Sequence, residues 1–236
     1  MKTKSDEFEA IKKFYNKSYY GGAITHSSLP WHCRKIGGKL GSLQGKSVLD
    51  IACGTGEWLE FFQGKGASIA GVDISEVAID VCKDRFSEGA FFCSSAEELP
   101  FEAAQFDVIT CMGSLEHFLD KPKALLEMRR VAKKGASFVL LVPNAGFLTR
   151  RLGLYHGTQQ VQVKEDVYEL NAWERLFNEA GLKVVVRLPD LHPFSFSWIM
   201  RGKWLVWPLR AVQAMALFVW PISWQYQVYH FCVVDE

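Results

Sequence analysis

The sequence carries almost no surplus of charge: Lys and Arg number 27 against 26 Asp and Glu, a formal net charge of +1. A chain that tracks a phosphate backbone needs a basic excess, so no nucleic-acid partner is expected. Paired cysteines are missing too. Cys33, Cys53, Cys82, Cys93, Cys111 and Cys232 are scattered, and none forms a Cys-x-x-Cys unit. That pattern argues against zinc and thioredoxin-type chemistry and predicts free thiols acting as small apolar side chains in a reducing cytoplasm. The opening residues Met1-Lys2-Thr3-Lys4-Ser5-Asp6-Glu7 are charged with no apolar run behind them, so no signal peptide is predicted. The most apolar stretch, 189–224, is no membrane span. Arg201, Lys203 and Arg210 interrupt it, Pro208 and Pro221 punctuate it, and its uncharged helical runs fall short of ~20 residues. No internal repeat is visible.

What is present centres on residues 47–59. Val48, Leu49 and Ile51 form a short apolar run, as in a strand covered on both faces. It ends at Asp50, and Ala52-Cys53-Gly54-Thr55-Gly56 then make a tight turn into a helix over 55–63. Gly54 and Gly56 permit turn dihedrals and leave room for a ligand against the main chain, where the first helical N–H groups would meet it. A second strand, 68–72, ends in Asp73. In a nucleotide fold a carboxylate at that strand end accepts both ribose hydroxyls; the competing role is to help cap the helix starting near Ser75. The length of 236 residues suits one α/β domain with an insertion.

The rest alternates in the same way. Apolar spacing predicts helices over 6–20 and 31–40, a helix over 76–86, a short strand at 90–93 and a strand over 106–111. Asp120 and Pro122 start a helix through Val131, Lys133-Lys134-Gly135 ends it, and 136–142 is a fifth strand. A loop of mixed polarity follows through Val167, with Arg150, Arg151, Tyr155 and His156 as candidate acceptor contacts or plain surface. A helix over 171–180 closed by Gly181, a strand over 182–188 and a last strand over 225–234 complete the chain.

Asp50-Ile51-Ala52-Cys53-Gly54-Thr55-Gly56 resembles the Asp-x-Gly-x-Gly-x-Gly motif of the Rossmann-like (class I) S-adenosylmethionine-dependent methyltransferases, with Ala52 at the first glycine. Ser94-Ser95-Ala96-Glu97-Glu98-Leu99-Pro100-Phe101 is similar to that family's Gly-Asp-Ala-Glu-x-Leu-Pro-Phe segment, with Ser95 at the Asp position. Leu115-Glu116-His117, then Asp120-x-Pro122, Glu127, Arg130 and Lys134-Gly135, resemble the ubiquinone-biosynthesis-type members over about 46–188. The resemblance implies an α/β, Rossmann-like, mostly parallel seven-stranded sheet with helices on both faces, the last strand antiparallel, and a helical hydrophobic insertion before it. It implies one methyltransferase domain over 1–236: an N-terminal helical flap (1–45), a cofactor-binding core (46–188), the insertion (189–224) and the last strand (225–234). In the flap, Tyr15, Tyr19, Tyr20 and Trp31 are candidates to cover the cofactor or to pack on the sheet.

The implied cofactor is S-adenosyl-L-methionine, leaving as S-adenosyl-L-homocysteine. Its implied contacts are Asp50, Ala52, Gly54, Thr55, Gly56, Asp73, Ile74, Ser95, Ala96, Glu97, Cys111, Met112 and Gly113, with Ser95 and Ala96 at the adenine. Methyl transfer from a sulfonium needs alignment and exclusion of water, and a hydroxyl acceptor also gains from a base. His117 and Glu116 are the catalytic candidates; His117 is the expected base, the competing role being a side chain bonded to a backbone carbonyl. Some relatives bind a divalent metal through Glu-x-x-Glu-His, but Gly113 holds the first Glu position, so no metal is expected. The Asn/Asp-Pro-Pro-Tyr motif of DNA-methylating enzymes is absent. The acceptor is expected to be small or lipid-linked, methylated on oxygen. Two other readings stay open: a non-catalytic protein of the same fold that binds a partner through 189–224, and an NAD-dependent oxidoreductase, which Leu59 disfavours because the third glycine of Gly-x-Gly-x-x-Gly would fall there. The protein is expected in the cytoplasm. The 189–224 insertion is expected to cover the acceptor side and to leave peripheral membrane contact or a homodimer open as its further uses.

Overall fold

A computed structural model describes residues 4–22, 28–153, 165–217 and 219–235. In chain order the elements are α1 (Lys4–Phe14), α2 (Trp31–Gly37), β1 (Ser47–Ile51), α3 (Glu57–Gln63), β2 (Ser68–Asp73), α4 (Glu76–Arg85), β3 (Ala90–Cys93) and β4 (Phe106–Met112). Then come α5 (Lys121–Val131), β5 (Ala132–Pro143), α6 (Leu148–Arg151), α7 (Leu170–Glu179), β6 (Leu182–Pro189), α8 (Phe196–Ile199), α9 (Trp207–Ala216) and β7 (Gln227–Val234). The sheet order is β3-β2-β1-β4-β5-β7-β6. The first five strands are parallel, and β7 runs antiparallel between β5 and β6. The predicted fold class holds.

The apolar runs are buried because helices cover both faces. On one face Leu125, Met128, Trp173 and Phe177 of α5 and α7 pack with Leu49, Ile51 and Ile109. On the other, Leu59, Phe62, Ile79 and Cys82 of α3 and α4 pack with Val48, Ile69 and Val108. Consecutive residues of β1 thus serve opposite cores, which is why the strand is apolar without alternation. The connections depart in opposite directions on either side of β1 and β4, and a crevice opens there beyond the carboxyl ends of the strands. Asp50 and Thr110 face each other at that point, Thr110 Oγ1 donating to Asp50 Oδ1 at 2.5 Å.

Two boundaries differ most from expectation. The helix predicted over 6–20 stops at Phe14 and widens into a π-turn, Tyr15–Tyr19, in which Tyr20 N–H donates to Tyr15 O at 2.9 Å. Lys133-Lys134-Gly135 belongs to β5 rather than to a helix end. The pairing of β4 and β5 slips there, from Phe106 with Ala132 to Val108 with Ser137, and Gly135 adopts φ +75°. The cause is tertiary: Lys133 Nζ reaches Asp107 Oδ2 at 2.7 Å and draws its segment against β4. That hydrogen bond, with the one from Ser47 N–H, holds the Asp107 carboxyl at about 2. The long loop expected after Pro143 contains α6, which carries Arg150 and Arg151; Tyr155 and His156 lie outside the described residues.

Candidate active site

A cavity of about 790 Å3 lies at the carboxyl edge of the sheet. Of the fifteen residues expected to bind or act there, all but Gly56 and Cys111 line it. Cys111 points into the core between the sheet and α5. Gly56 serves packing: a Cβ on it would stand 2.6 Å from the Phe86 ring, and its carbonyl accepts the Glu60 N–H at the start of α3.

The turn after β1 is the most distorted backbone at the cavity. Ala52 (φ 56°), Gly54 (φ 54°) and Gly56 (φ 87°) all take left-handed dihedrals. At Gly54 a Cβ would stand 2.9 Å from the Tyr20 hydroxyl, so this stretch of the wall must stay bare main chain. Ala52 holds its conformation with a Cβ, at a cost of about 1–2 kcal/mol. Ala52→Gly should therefore raise the unfolding free energy by ~1 kcal/mol in urea titration. A less stable variant would show that the surrounding fold, not the side chain, sets this φ.

Of the two roles that the sequence set in competition, the hydrogen bonds of Asp73 show the structural one. Its Oδ2 accepts from Gly54 N–H at 2.9 Å and its Oδ1 from Ser75 N–H at 2.8 Å. It thereby braces the turn and the start of α4, where Ser75 Oγ accepts from Ala78 N–H at 3.3 Å. Asp73 also lines the cavity. Burial pushes the Asp73 carboxyl up, against the pull of amide N–H groups from Ser75, Gly54 and Ile74. Asp50, wholly enclosed, is raised to about 7 by the same desolvation, which the Thr110 bond offsets in part.

The N-terminal segment closes one side. Ser75 Oγ donates to Asn16 Oδ1 at 2.6 Å, and Lys12 pairs with Glu76 at 2.7 Å. These bonds set Phe8, Ile11, Tyr15, Tyr19 and Tyr20 along the cavity wall; Trp31 is exposed and does not reach it. Burial lifts the Tyr15 phenol to about 12.

Opposite, Ser95 and Glu97 act as a pair. Ser95 Oγ donates to Glu97 Oε2 in a short bond, and Glu97 N–H donates back to Ser95 Oγ at 3.1 Å. Glu97 Oε1 accepts from Leu119 N–H and Asp120 N–H, each at 3.1 Å. Glu97 so ties the loop after β3 to the turn after β4, a bracing role that its sequence neighbourhood does not reveal.

Glu116 sits on the one-turn 3-10 helix Leu115–His117 and is only 3% exposed. Its Oε2 has no hydrogen-bond partner among the described residues. Desolvation pushes its carboxyl up to about 7, with Glu165 adding to the rise and Lys121 opposing it. The turn is pinned from behind: Asp166 N–H donates to Glu116 O at 3.1 Å, and Lys121 Nζ donates to Asp166 Oδ2 and Phe118 O, both at 2.9 Å. His117 lines the cavity beside it. Glu165, Tyr226 and Gln227 complete this wall, Tyr226 Oη lying 3.5 Å from Glu165 Oε1. The sequence offered no signal for these three. Arg150 and Arg151 are not on the wall. No described residue of 189–224 lines the cavity either; after that segment the chain reaches it at Tyr226 and Gln227, so the expected acceptor cover is not formed by that segment. The insertion is instead tied to α2, His192 stacking on His32 at 5.3 Å. Among the described residues no three His, Cys, Asp or Glu side chains are grouped to hold a metal ion.

Residues 33–186 match a family model described as a methyltransferase domain. The chain is 36% identical over 110 residues to the ubiquinone biosynthesis O-methyltransferase of Coxiella burnetii, 45% of this chain and 47% of that one. It is 33% identical over 160 residues to the Pseudomonas aeruginosa enzyme of the same name, 60% of this chain and 66% of that one. The match thus spans about half the length of the Coxiella relative, 47%. Among solved structures, the Burkholderia thailandensis 1,6-didemethyltoxoflavin-N1-methyltransferase, with 1,6-didemethyltoxoflavin and S-adenosylhomocysteine bound, superposes with a TM-score of 0.67. The alignment covers 100% of this chain and 92% of that one at 14% identity, a likeness of fold.

Proposed function

From the premise that this chain belongs to the methyltransferase-domain family and is an S-adenosylmethionine-dependent methyltransferase, we propose that it methylates an oxygen of a small or lipid-linked acceptor. The observation that carries the choice of oxygen is Glu116, a buried carboxylate on the cavity wall with an unpartnered Oε2 and a carboxyl raised to about 7. A neutral amine attacks through its own lone pair. A hydroxyl must shed a proton, and a base poised near the working pH takes it best. The names of the Coxiella and Pseudomonas relatives support the same choice.

The residues present fit the cofactor. The bare main chain at Gly54 leaves a cradle that a Cβ would fill, and Asp73 beside it offers two carboxylate oxygens. In this reading Asp73 accepts the ribose hydroxyls, with Ile74 next to it. Asp50, Ala52, Gly54, Thr55, Met112 and Gly113 surround the amino-acid end. Ala96 and the Ser95–Glu97 pair border the adenine; Ser95 Oγ, which gives its proton to Glu97 and accepts the Glu97 N–H, keeps one lone pair for the base's amine and accepts without a charge. Bound there, S-adenosylmethionine supplies a methyl group already activated by its sulfonium. The chain's own tasks are then to orient the acceptor, exclude water and hold one proton. Tyr15, Tyr19 and Tyr20 exclude water from the N-terminal side. Glu116 takes the acceptor proton at Oε2, and His117, Glu165 and Tyr226 flank the acceptor. Residues 1–45 serve as the flap, 46–188 as the cofactor core, and 189–224 as a contact segment.

The test is incubation with methyl-labelled S-adenosylmethionine and a panel of phenols and catechols, with and without isoprenoid chains, alongside matched amines. Label recovered as a methyl ether is the expected result. Label on nitrogen or carbon would overturn the choice of oxygen. Failure to bind S-adenosylmethionine in isothermal titration would leave the non-catalytic alternative.

A further inference from the structure

The 189–224 segment joins the carboxyl end of β6 to the start of β7. Because β6 is antiparallel to β7, and β7 to β5, that connection lies on the same edge of the sheet as the cavity. Its helices form a braced platform. Ser195 Oγ accepts from Trp198 N–H at 3.3 Å at the head of α8. Arg210 of α9 donates to Trp198 O at 2.7 Å and lies over the Trp198 ring at 5.2 Å. The amphipathic sense of α9 is inverted: Ala214 faces the protein, while Leu209, Val212 and Met215 are 69%, 63% and 70% exposed, and Val219 beyond the helix is 86% exposed. Trp204 and Leu205, just before α9, are exposed as well.

We propose that this face docks on the surface of an anionic lipid bilayer, with α9 lying in the plane of the headgroups. The proposal rests on reading 189–224 as a contact segment but not on the identity of the acceptor. Charge selects the occupant. No Asp or Glu occurs from 191 to 234, whereas Arg201, Lys203 and Arg210 do; without these three the chain has 24 basic against 26 acidic residues. The cationic surface is therefore local, and Arg201 and Lys203 stand exposed on the turn between α8 and α9. A second copy would set these like charges against one another, while anionic headgroups neutralise them. Trp204 and Trp224 are exposed on this segment, the residue type that seats at the headgroup level. No helix among the described residues is long and apolar enough to cross a membrane, so the contact is peripheral. Docking in this pose brings the cavity edge at Tyr226 toward the lipid.

Flotation of the full chain with phosphatidylcholine vesicles, with and without phosphatidylglycerol, tests this directly. The protein should float with the phosphatidylglycerol vesicles and release as salt is raised. Val212→Glu with Met215→Glu should lower the bound fraction about tenfold or more. Arg201→Glu with Lys203→Glu should remove the preference for phosphatidylglycerol. Both double variants should keep their affinity for S-adenosylmethionine. Wild-type protein that stays unbound would overturn the proposal, as would vesicle binding indifferent to the apolar pair. A dimer that the Val212/Met215 pair splits, in protein that ignores vesicles, would assign the face to a second copy. Should that pair prevent folding, the Arg201/Lys203 variant decides: an unchanged lipid preference overturns the docking mode.

Discussion

Asp73→Ala should raise the dissociation constant for S-adenosylmethionine by ~100-fold or more. Two charge-assisted hydrogen bonds to the ribose would be lost, each contributing about 1.5–3 kcal/mol. The structure adds a second reason for a large effect. Asp73 also receives the Gly54 and Ser75 amides, so its removal leaves two inward N–H groups without an acceptor and frees the turn that cradles the cofactor. Asp73→Asn separates the contributions. It keeps the shape but turns one end into a donor facing an N–H group, so it should also bind poorly and lose thermal stability. Isothermal titration and a thermal melt on both variants provide the check. A dissociation constant unchanged in either, with a lowered melting temperature, would reduce Asp73 to a brace.

Glu116→Gln should cut turnover by ~100-fold or more and make the protein more stable. The sign follows from burial. An unfolded glutamate titrates at its ordinary value of 4.5, whereas in the fold desolvation raises Glu116 to about 7. Ionising it in place therefore costs folding free energy. The cost is absent below pH 4.5, grows between 4.5 and 7, and is fully present above 7. At pH 8 the glutamine variant should gain about 2–3 kcal/mol. In the wild type kcat/KM should rise with pH through about 7, and this limb should vanish in the variant. The variant comparison matters because Asp50 is also lifted to about 7, and a pH profile alone would not tell the two apart. Equal loss of turnover and cofactor affinity, with lowered stability, would place Glu116 in the packing instead of the chemistry.

Elements whose causes are local can be read directly from the chain. A buried apolar run, an acidic residue at its end and a glycine turn specify β1, Asp50 and Gly54 within ten residues. The same grammar marks Asp73 at the end of β2. Apolar runs covered on both faces announce a mostly parallel sheet, and the Asp120–Pro122 start of α5 is written in its capping residues. Features that join residues far apart along the chain emerge only in the fold. Glu165, Tyr226 and Gln227 reach the cavity because β7 enters the sheet antiparallel beside β5 and because Lys121 anchors Asp166. Tyr20 stands over Gly54 because Asn16 and Lys12 bond to the start of α4, a pairing across about sixty residues that periodicity cannot encode. The start of β5 was misread for the same reason, since Lys133 answers to Asp107 on the neighbouring strand. Glu116 and His117 were legible as candidates, but their order was not. Burial, which sequence does not report for a polar side chain between two loops, is what singles out Glu116 in the proposed reading. The insertion gives the plainest case: its composition shows that it is apolar, yet whether the apolar side chains face core or solvent depends on what packs beneath them, and there Ala214 takes the inner place.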